Sequence, residues 1–256
     1  MSAAALTSHF IRRELGNRFA GSFSGGLWAL LQPLLQLAVY AFVFVHIFKA
    51  RVPGADAPGY VPFLVAALWP WTAFAEAVLR STTALQDNAA LIGKVALPRE
   101  VLVVAVVCSS FLIHVAGFIA VALVLGLVGQ GIHPAWLPAA IALYLPLFGL
   151  ALGFALACAA IQVFVRDLVQ VLGQLLPLLM FGAPIFYDRT LLPESVRGLL
   201  DLNPFTFYAE AFRAILLGHG TFDPLRCAIA VVVAALVLFA GHRLFRRLDP
   251  HFEDFL

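Results

Sequence analysis

Six stretches of the chain are long, apolar and almost free of charge: 28–48, 62–79, 101–128, 137–165, 168–187 and 225–241. Each approaches the about 20 residues that a helix needs to cross a bilayer core. In hydrocarbon every backbone amide must be paired internally, so the pattern predicts six membrane-spanning helices rather than open strands. Lys49 and Arg51 close the first stretch, Arg166 and Asp167 the fourth, and Arg243, Arg246 and Arg247 the sixth. Glu76 interrupts the second, and Pro177 and Pro184 predict bends in the fifth.

The segments between these stretches carry patterns of their own. Along 5–24, Ile11, Leu15, Phe19 and Phe23 repeat every four residues while His9, Arg13 and Asn17 mark another face, as expected of a helix lying in the membrane interface. Gly25 and Gly26 then allow a sharp turn into the first span. Residues 81–97 are longer than a tight link requires, and Leu85, Ala89 and Ile92 keep helical spacing until Pro98 biases Leu97 out of helix. Residues 188–222 mix Asp188, Arg189, Glu194, Arg197, Asp201, Glu210 and Arg213 with Leu and Phe. Asn203 and Pro204 read as a helix start, and Gly218 as its stop. The expectation is an outer pair of re-entrant half-helices over 188–217, tolerated at membrane depth only where protein or a cavity surrounds them.

The apolar pattern is global. Of 256 residues, 62% are hydrophobic and only 12% charged, about half the charged share of an ordinary soluble domain. That excludes a cytosolic enzyme and a disordered chain, and it leaves no room for a separate soluble domain. The formal charge of +2 leaves no nucleic-acid footprint. With the N-terminus inside, Arg12, Arg13, Arg18, Arg80, Lys94, Arg99, Arg166, Arg243, Arg246 and Arg247 fall on the inner side. Lys49, Arg51, Arg189, Arg197, Arg213 and Arg226 fall on the outer. This bias favours both termini in the cytoplasm. Cys108, Cys158 and Cys227 lie in apolar runs with no CxxC or metal spacing and read as buried small hydrophobes.

No phosphate loop is present: around Gly93 and Lys94 the flanking residues are Asn88 and Val95. No HExxH or GxSxG occurs either, so neither a catalytic nor a metal site is assigned. Glu76 at span depth is a functional candidate, but Arg80 one turn later offers it a local ion pair. His46 and His114 read as helix–helix hydrogen-bond partners, and Gly149 with Gly153 as a close helix contact. Aromatics are the more suggestive feature. Trp28, Tyr40, Phe44 and Phe48 lie on the first span and Phe181, Phe186 and Tyr187 near the end of the fifth. Such rings can stack on sugars without fixing one register, or simply face lipid as an interfacial belt.

Five segments in order resemble the permease subunit of ABC-2-type exporters of polysaccharides and polyol phosphates. They are residues 12–33, residues 88–100 with Asn88, Leu91, Lys94 and the run Pro98, Arg99, Glu100, then Val165-Arg-Asp167, then Ala183-Pro-Ile-Phe-Tyr187 followed by Leu202-Asn-Pro204, and the ending Phe252-Glu-Asp-Phe-Leu256. The O-antigen branch is the most similar, with capsule and teichoic-acid permeases close behind. The resemblance implies a homodimer served by two copies of a cytoplasmic ABC ATPase, which would hold the ATP and Mg, in the bacterial inner membrane. It implies a coupling helix over 81–97 presenting Asp87, Asn88, Lys94 and Arg99 to that ATPase. It implies an aromatic substrate path, and gate or structural roles for Arg13, Glu76, Arg80, Arg166, Asp167, Asn203, Pro204, Glu210 and Arg213. The cargo would be a lipid-linked polysaccharide. A permease for a small lipid or drug, or an intramembrane enzyme acting on lipid-linked sugars, are the competing readings.

Overall fold

The computed structural model describes residues 3–18, 27–53, 59–94 and 97–255, and within these it contains helices and no strand. Phe19, Phe23, Gly25, Gly26, Val95, Ala96 and Leu256, which entered the expectations above, lie outside the described residues. The helices are α1 (Ala3–Asn17), α2 (Leu27–Phe42), α3 (Tyr60–Thr82), α4 (Ala84–Asp87), α5 (Ala89–Ile92), α6 (Glu100–Leu127), α7 (Leu137–Phe164), α8 (Leu168–Phe181), α9 (Glu194–Leu200), α10 (Phe205–Leu217) and α11 (Pro224–Leu248). Among the described residues four helices are long and apolar enough to cross a membrane: Tyr60–Thr82, Glu100–Leu127, Pro134–Phe164 and Pro224–Glu253. Two apolar helices are shorter, Leu31–Ile47 and Leu168–Phe181. The 14 residues of α8 rise only about 21 Å, because the chain leaves the helix at Gly182 ahead of Pro184.

α3 is the hub. It packs against α2, α6, α7, α8 and α10, and 78% of its most apolar stretch is buried, against 11% for α11. Apolar transfer adds little between helices in lipid, so close backbone approach decides the packing. Accordingly Ala66, Ala67, Ala73 and Ala77 of α3 and Ala151, Ala155, Ala159 and Ala160 of α7 are fully buried small residues at the centre of the bundle. α11 lies almost entirely along α7. Their crossing is backbone on backbone: a Cβ at Gly153 would come within 2.6 Å of the Val237 carbonyl and the Leu238 amide, and one at Gly241 would strike the Gly153 carbonyl. Gly149 is the looser member of the expected glycine pair, 3.8 Å from Ala234 Cβ.

The bundle has two ends. At the α1 end gather α1, α4, α5, the start of α6 and the C-terminal turn. At the far end lie residues 43–53 and 59–60, the turn after α6 and residues 182–223. α1 packs along α6 through buried Phe10, so protein rather than lipid covers one of its faces. The 81–97 segment is two short helices rather than one. The break falls at Asn88, whose side chain bends back to donate to the Ala84 carbonyl. α10 begins where expected, with Asn203 Oδ1 accepting from Phe205 N at 3.0 Å, and it ends at Gly218, whose left-handed φ of 62° suits glycine. Cys158 is buried, Cys108 and Cys227 are half-buried, and all three are free thiols.

Candidate functional site

A groove of about 340 Å³ runs between α2, α3 and α8. Gln32, Gln36 and Tyr40 line it from α2 at intervals of four residues, which places them on one helical face. Thr72 and Glu76 line it from α3 at the same interval. The opposing wall on α8 is smooth: Gly173, Leu176 and Pro177. Two ladders of hydroxyl, amide and carboxyl groups therefore share a track at span depth with an apolar slide. Gln36 Nε2 reaches Tyr40 Oη at only 3.5 Å, a weak contact that leaves these groups open to a passing partner.

Above the track, at the far end, the aromatic residues of α2 and the turn after it meet those of α8 and the turn that follows it. Phe186 is the centre: Phe44 stacks on it at 5.0 Å and 8°, Phe181 stacks at 5.1 Å, and Tyr40 meets it edge-on at 4.9 Å. Phe48 adds to Phe44 at 5.5 Å, and Tyr187 Oη donates to the Phe181 carbonyl. Tyr60 of α3 joins, stacking on Phe44 and donating to the Phe186 carbonyl at 2.8 Å. The aromatics of the two segments thus form one cluster, with Tyr40 and Phe181 facing the groove. Trp28 is not among these contacts; it is 49% exposed near the α1 end.

Below the track lies an ion network. Glu76 Oε2 meets His114 Nε2 of α6 at 2.7 Å, and its other oxygen accepts from Arg18. Arg80 donates to Glu14 of α1 at 2.7 Å and holds Glu76 only at 3.9 Å. The local pair expected between Glu76 and Arg80 is therefore the weakest strand of a five-residue network that fastens α1 beneath the groove. Arg13, next to Glu14 in sequence, donates to Asn88 Oδ1 and lies over the Phe10 ring. His114 is 3% exposed, and its backbone carbonyl accepts from Trp69 Nε1 at 2.8 Å, which locks α6 to α3 at this level.

At the far end Arg213 is 3% exposed and, among the described residues, binds no carboxylate directly. Its guanidinium lies 3.4 Å over the Phe63 ring and donates to three carbonyls, of Phe63, Pro184 and Ile185. It joins α10 to the start of α3 and the turn after α8. Around it Arg189 forks onto Asp201 at 2.8 and 2.6 Å, and Glu210 accepts from Arg226 at 3.1 Å. Asp188 Oδ1 accepts from Thr190 N and Oγ1 at 2.8 and 2.6 Å, and Oδ2 meets His219 Nε2 at 2.5 Å. Partial burial opposes the Asp188 charge, but the bonds from Thr190 and His219 outweigh it and hold the carboxyl below its ordinary range. A carboxyl lowered on folding adds stability above its unfolded value and loses it as pH falls through the folded one. Amide exchange over 188–192, corrected for intrinsic rate, should therefore stay slow at neutral pH and accelerate only below about pH 4. Equal protection at pH 3 and pH 7 would remove Asp188 as the staple of this corner.

The remaining candidates stand at the α1 end. Asp87 accepts from Thr83 Oγ1 at 2.8 Å, and Lys94 is exposed in the turn after α5. Arg99 faces the C-terminal turn, donating to the Asp249 carbonyl at 2.7 Å, to Asp249 Oδ1 at 3.0 Å and to Glu253. Phe252, fully buried in that turn, packs on Phe245 and Phe164. The Arg166 and Asp167 side chains are exposed; Gln162 ties their corner by donating to the Arg166 carbonyl at 2.8 Å and accepting from Val169 N. Among the described residues no group of three His, Cys, Asp or Glu is placed to hold a metal. Sequence reading missed Gln32, Gln36 and Thr72, although the four-residue spacing of Gln32, Gln36 and Tyr40 in an apolar span was a usable signal.

Comparison with known proteins was consistent along most of the chain. Residues 6–217 match the model of the ABC-2 type transporter family. The chain is 32% identical over 250 residues to the O-antigen export system permease protein RfbA of Myxococcus xanthus, covering 95% of this chain and 92% of the relative. It is 25% identical over 247 residues to a protein of the same name from Klebsiella pneumoniae, with 95% and 92% covered. It is 24% identical over 234 residues to the polysialic acid transport protein KpsM of Escherichia coli, with 91% and 90% covered.

Proposed function

Because the chain belongs to the ABC-2 type transporter family, we propose that it is the membrane subunit of an exporter that moves a lipid-linked polysaccharide, O-antigen-like or capsular, across a bacterial inner membrane. The observation that carries this reading is the groove itself. Its two polar ladders can exchange hydrogen bonds with sugar hydroxyls one rung at a time. Its apolar slide offers nothing that would hold a chain in one place. The ring cluster at its head, with Tyr40 and Phe181 turned to the groove, presents faces on which sugar C–H groups stack. A permease for a small apolar lipid or drug has no use for a row of amides and hydroxyls at that depth. Glu76 and His114 do converge as an enzyme would require, but Arg18 and Arg80 occupy the carboxylate, and the relatives bear the names of permeases and a transport protein.

In this reading α2, α3, α6, α7, α8 and α11 are the six spans, and the excess of Lys and Arg at the α1 end puts that end in the cytoplasm. The aromatic end then faces outward, and α9 with α10 forms the outer gate over 188–217. The energy comes from ATP and Mg on a separate ATPase that docks on α4, α5 and the exposed Lys94. A second copy closes the groove on its open side, between the exposed apolar faces of α2 (Leu34, Leu35, Val39) and α8 (Val171, Leu175, Leu178). Transport is then a shift of populations between inward and outward states set by the ATPase.

Gly173 provides the test. A side chain there meets nothing within 4 Å and would stand in the groove. Gly173→Trp should fold, insert and stimulate the partner ATPase as before, yet lower polysaccharide export by about tenfold, equivalent to about 1.4 kcal/mol. Unchanged surface polysaccharide in cells carrying this variant would show that cargo takes another path.

A further inference from the structure

A second cleft, of about 370 Å³, opens between α10 and α11 over Leu150 of α7. Ile229 and Val233 of α11 form its apolar wall, and Asp201 and Arg226 stand at its mouth. α11 is the least covered of the long helices, so this cleft opens sideways to hydrocarbon and not into the groove described above. Inside it Tyr208 is 1% exposed, yet among the described residues its hydroxyl finds no hydrogen-bond partner. A buried hydroxyl without a partner is costly, and its position beside an apolar trough points to a ligand with an acceptor a short way below a polar head.

The mouth specifies that head. Arg226 can donate to a phosphate, but carboxylates crowd it: Glu210 at 3.1 Å, Asp223 at 3.7 Å and Asp201 at 3.8 Å. Against these three acids stand two bases, Arg226 and Arg189. A purely anionic headgroup would be repelled, whereas a zwitterion with a primary ammonium can place its phosphate on Arg226 and its N–H donors on Asp201. We propose that this cleft binds one aminophospholipid of the phosphatidylethanolamine class, with an acyl chain along Ile229 and Val233 and an ester carbonyl accepting from Tyr208 Oη. The site requires only that α11 cross the bilayer; it goes beyond the transport reading and stands or falls apart from it.

The experiment uses the full-length chain in nanodiscs of equal phosphatidylethanolamine, phosphatidylcholine and phosphatidylglycerol, released in a native mass spectrometer. One phosphatidylethanolamine should stay bound per chain, about fivefold over phosphatidylcholine, whose quaternary nitrogen cannot donate. Tyr208→Phe keeps the ring and removes only an unbonded hydroxyl, so it should fold normally while retention falls by about fivefold. Ala230→Trp, which fills the trough, should lower retention further; if it fails to fold, Tyr208→Phe decides. Equal retention of the three lipids, preference for phosphatidylglycerol, or undiminished retention by Tyr208→Phe would overturn the assignment. No step of this assay depends on export, so a failure here leaves the transport reading untouched and the reverse also holds.

Discussion

Replacing Gly153 with valine should detach α11 from α7 and cost about 3 kcal/mol or more, at the upper end of what overpacking does in a closed interface. The reason lies in what the new side chain would meet. Its neighbours are the carbonyl of Val237 and the amide of Leu238, backbone atoms within 2.6 Å that cannot turn aside as a side chain can. Nor can α11 re-dock elsewhere, since almost all its packing is against α7. Gly241→Leu should behave the same way, because its Cβ would enter the Gly153 carbonyl. Two controls separate this from a general dislike of side chains in place of glycine. Gly149→Ala makes an ordinary contact with Ala234, and Gly173→Ala meets nothing; both should stay within about 0.5 kcal/mol of the parent. Thermal unfolding in a mild detergent, with the four variants side by side, reads the order directly. Gly153→Val melting with its controls would mean that the two helices are not in backbone contact.

Arg213→Met should be comparably damaging at the other end of the molecule. Methionine fills much of the same space but donates nothing, and the carbonyls of Phe63, Pro184 and Ile185 lose their partner together. Hydrogen bonds from a charged donor are each worth about 1.5–3 kcal/mol. Releasing a buried charge returns part of that sum, which leaves a net loss of about 3 kcal/mol. Arg213→Lys separates charge from geometry: one ammonium cannot span three carbonyls on two segments and also lie flat over Phe63, so it should recover less than half of the loss. The readout is the melting temperature together with labelling of a cysteine placed at Leu192, which should become accessible as the 182–193 turn loosens. A melting temperature for Arg213→Met within a degree of the parent would show that the guanidinium is a passenger.

The helices of the bundle were legible where composition alone decides them. Residues 101–127 carry no Asp, Glu, Lys or Arg, and α6 occupies them entirely; α7 matches its stretch within a residue. Ends set by side-chain chemistry were harder. α3 extends two residues earlier and three later than its apolar run, because Ser81 and Thr82 hydrogen-bond back to the Val78 carbonyl and continue the helix. α8 stops at Phe181 rather than near Tyr187, since the turn at Gly182 and Pro184 overrides the apolar pattern. The 81–97 segment divides at Asn88, and nothing in the spacing of Leu85, Ala89 and Ile92 announces a side chain that competes for the Ala84 carbonyl.

The site was legible in part for similar reasons. Tyr40, Phe44 and Phe48 share a face and do cluster with Phe181 and Phe186, whereas Trp28, three and a third turns before Tyr40, faces elsewhere. The polar track was hidden because Gln32, Gln36 and Thr72 line one groove only when two helices are set side by side. The partners of Glu76 were hidden by distance along the chain, Arg18 just past the end of α1 and His114 on α6. Arg80, nearest in sequence, was the obvious choice and the poorest contact. Only Asn203 declared both its place and its role, because capping is a local act.

The network under the groove has one more property. Glu14 and Glu76 contribute two negative charges, Arg18 and Arg80 two positive, and all four lie within one interlocked knot. Opposite charges paired this closely leave a potential that fades within a few ångströms. A sugar chain on the path proposed above would therefore meet an electrically level floor, with neither a well deep enough to stall it nor a hump to turn it back.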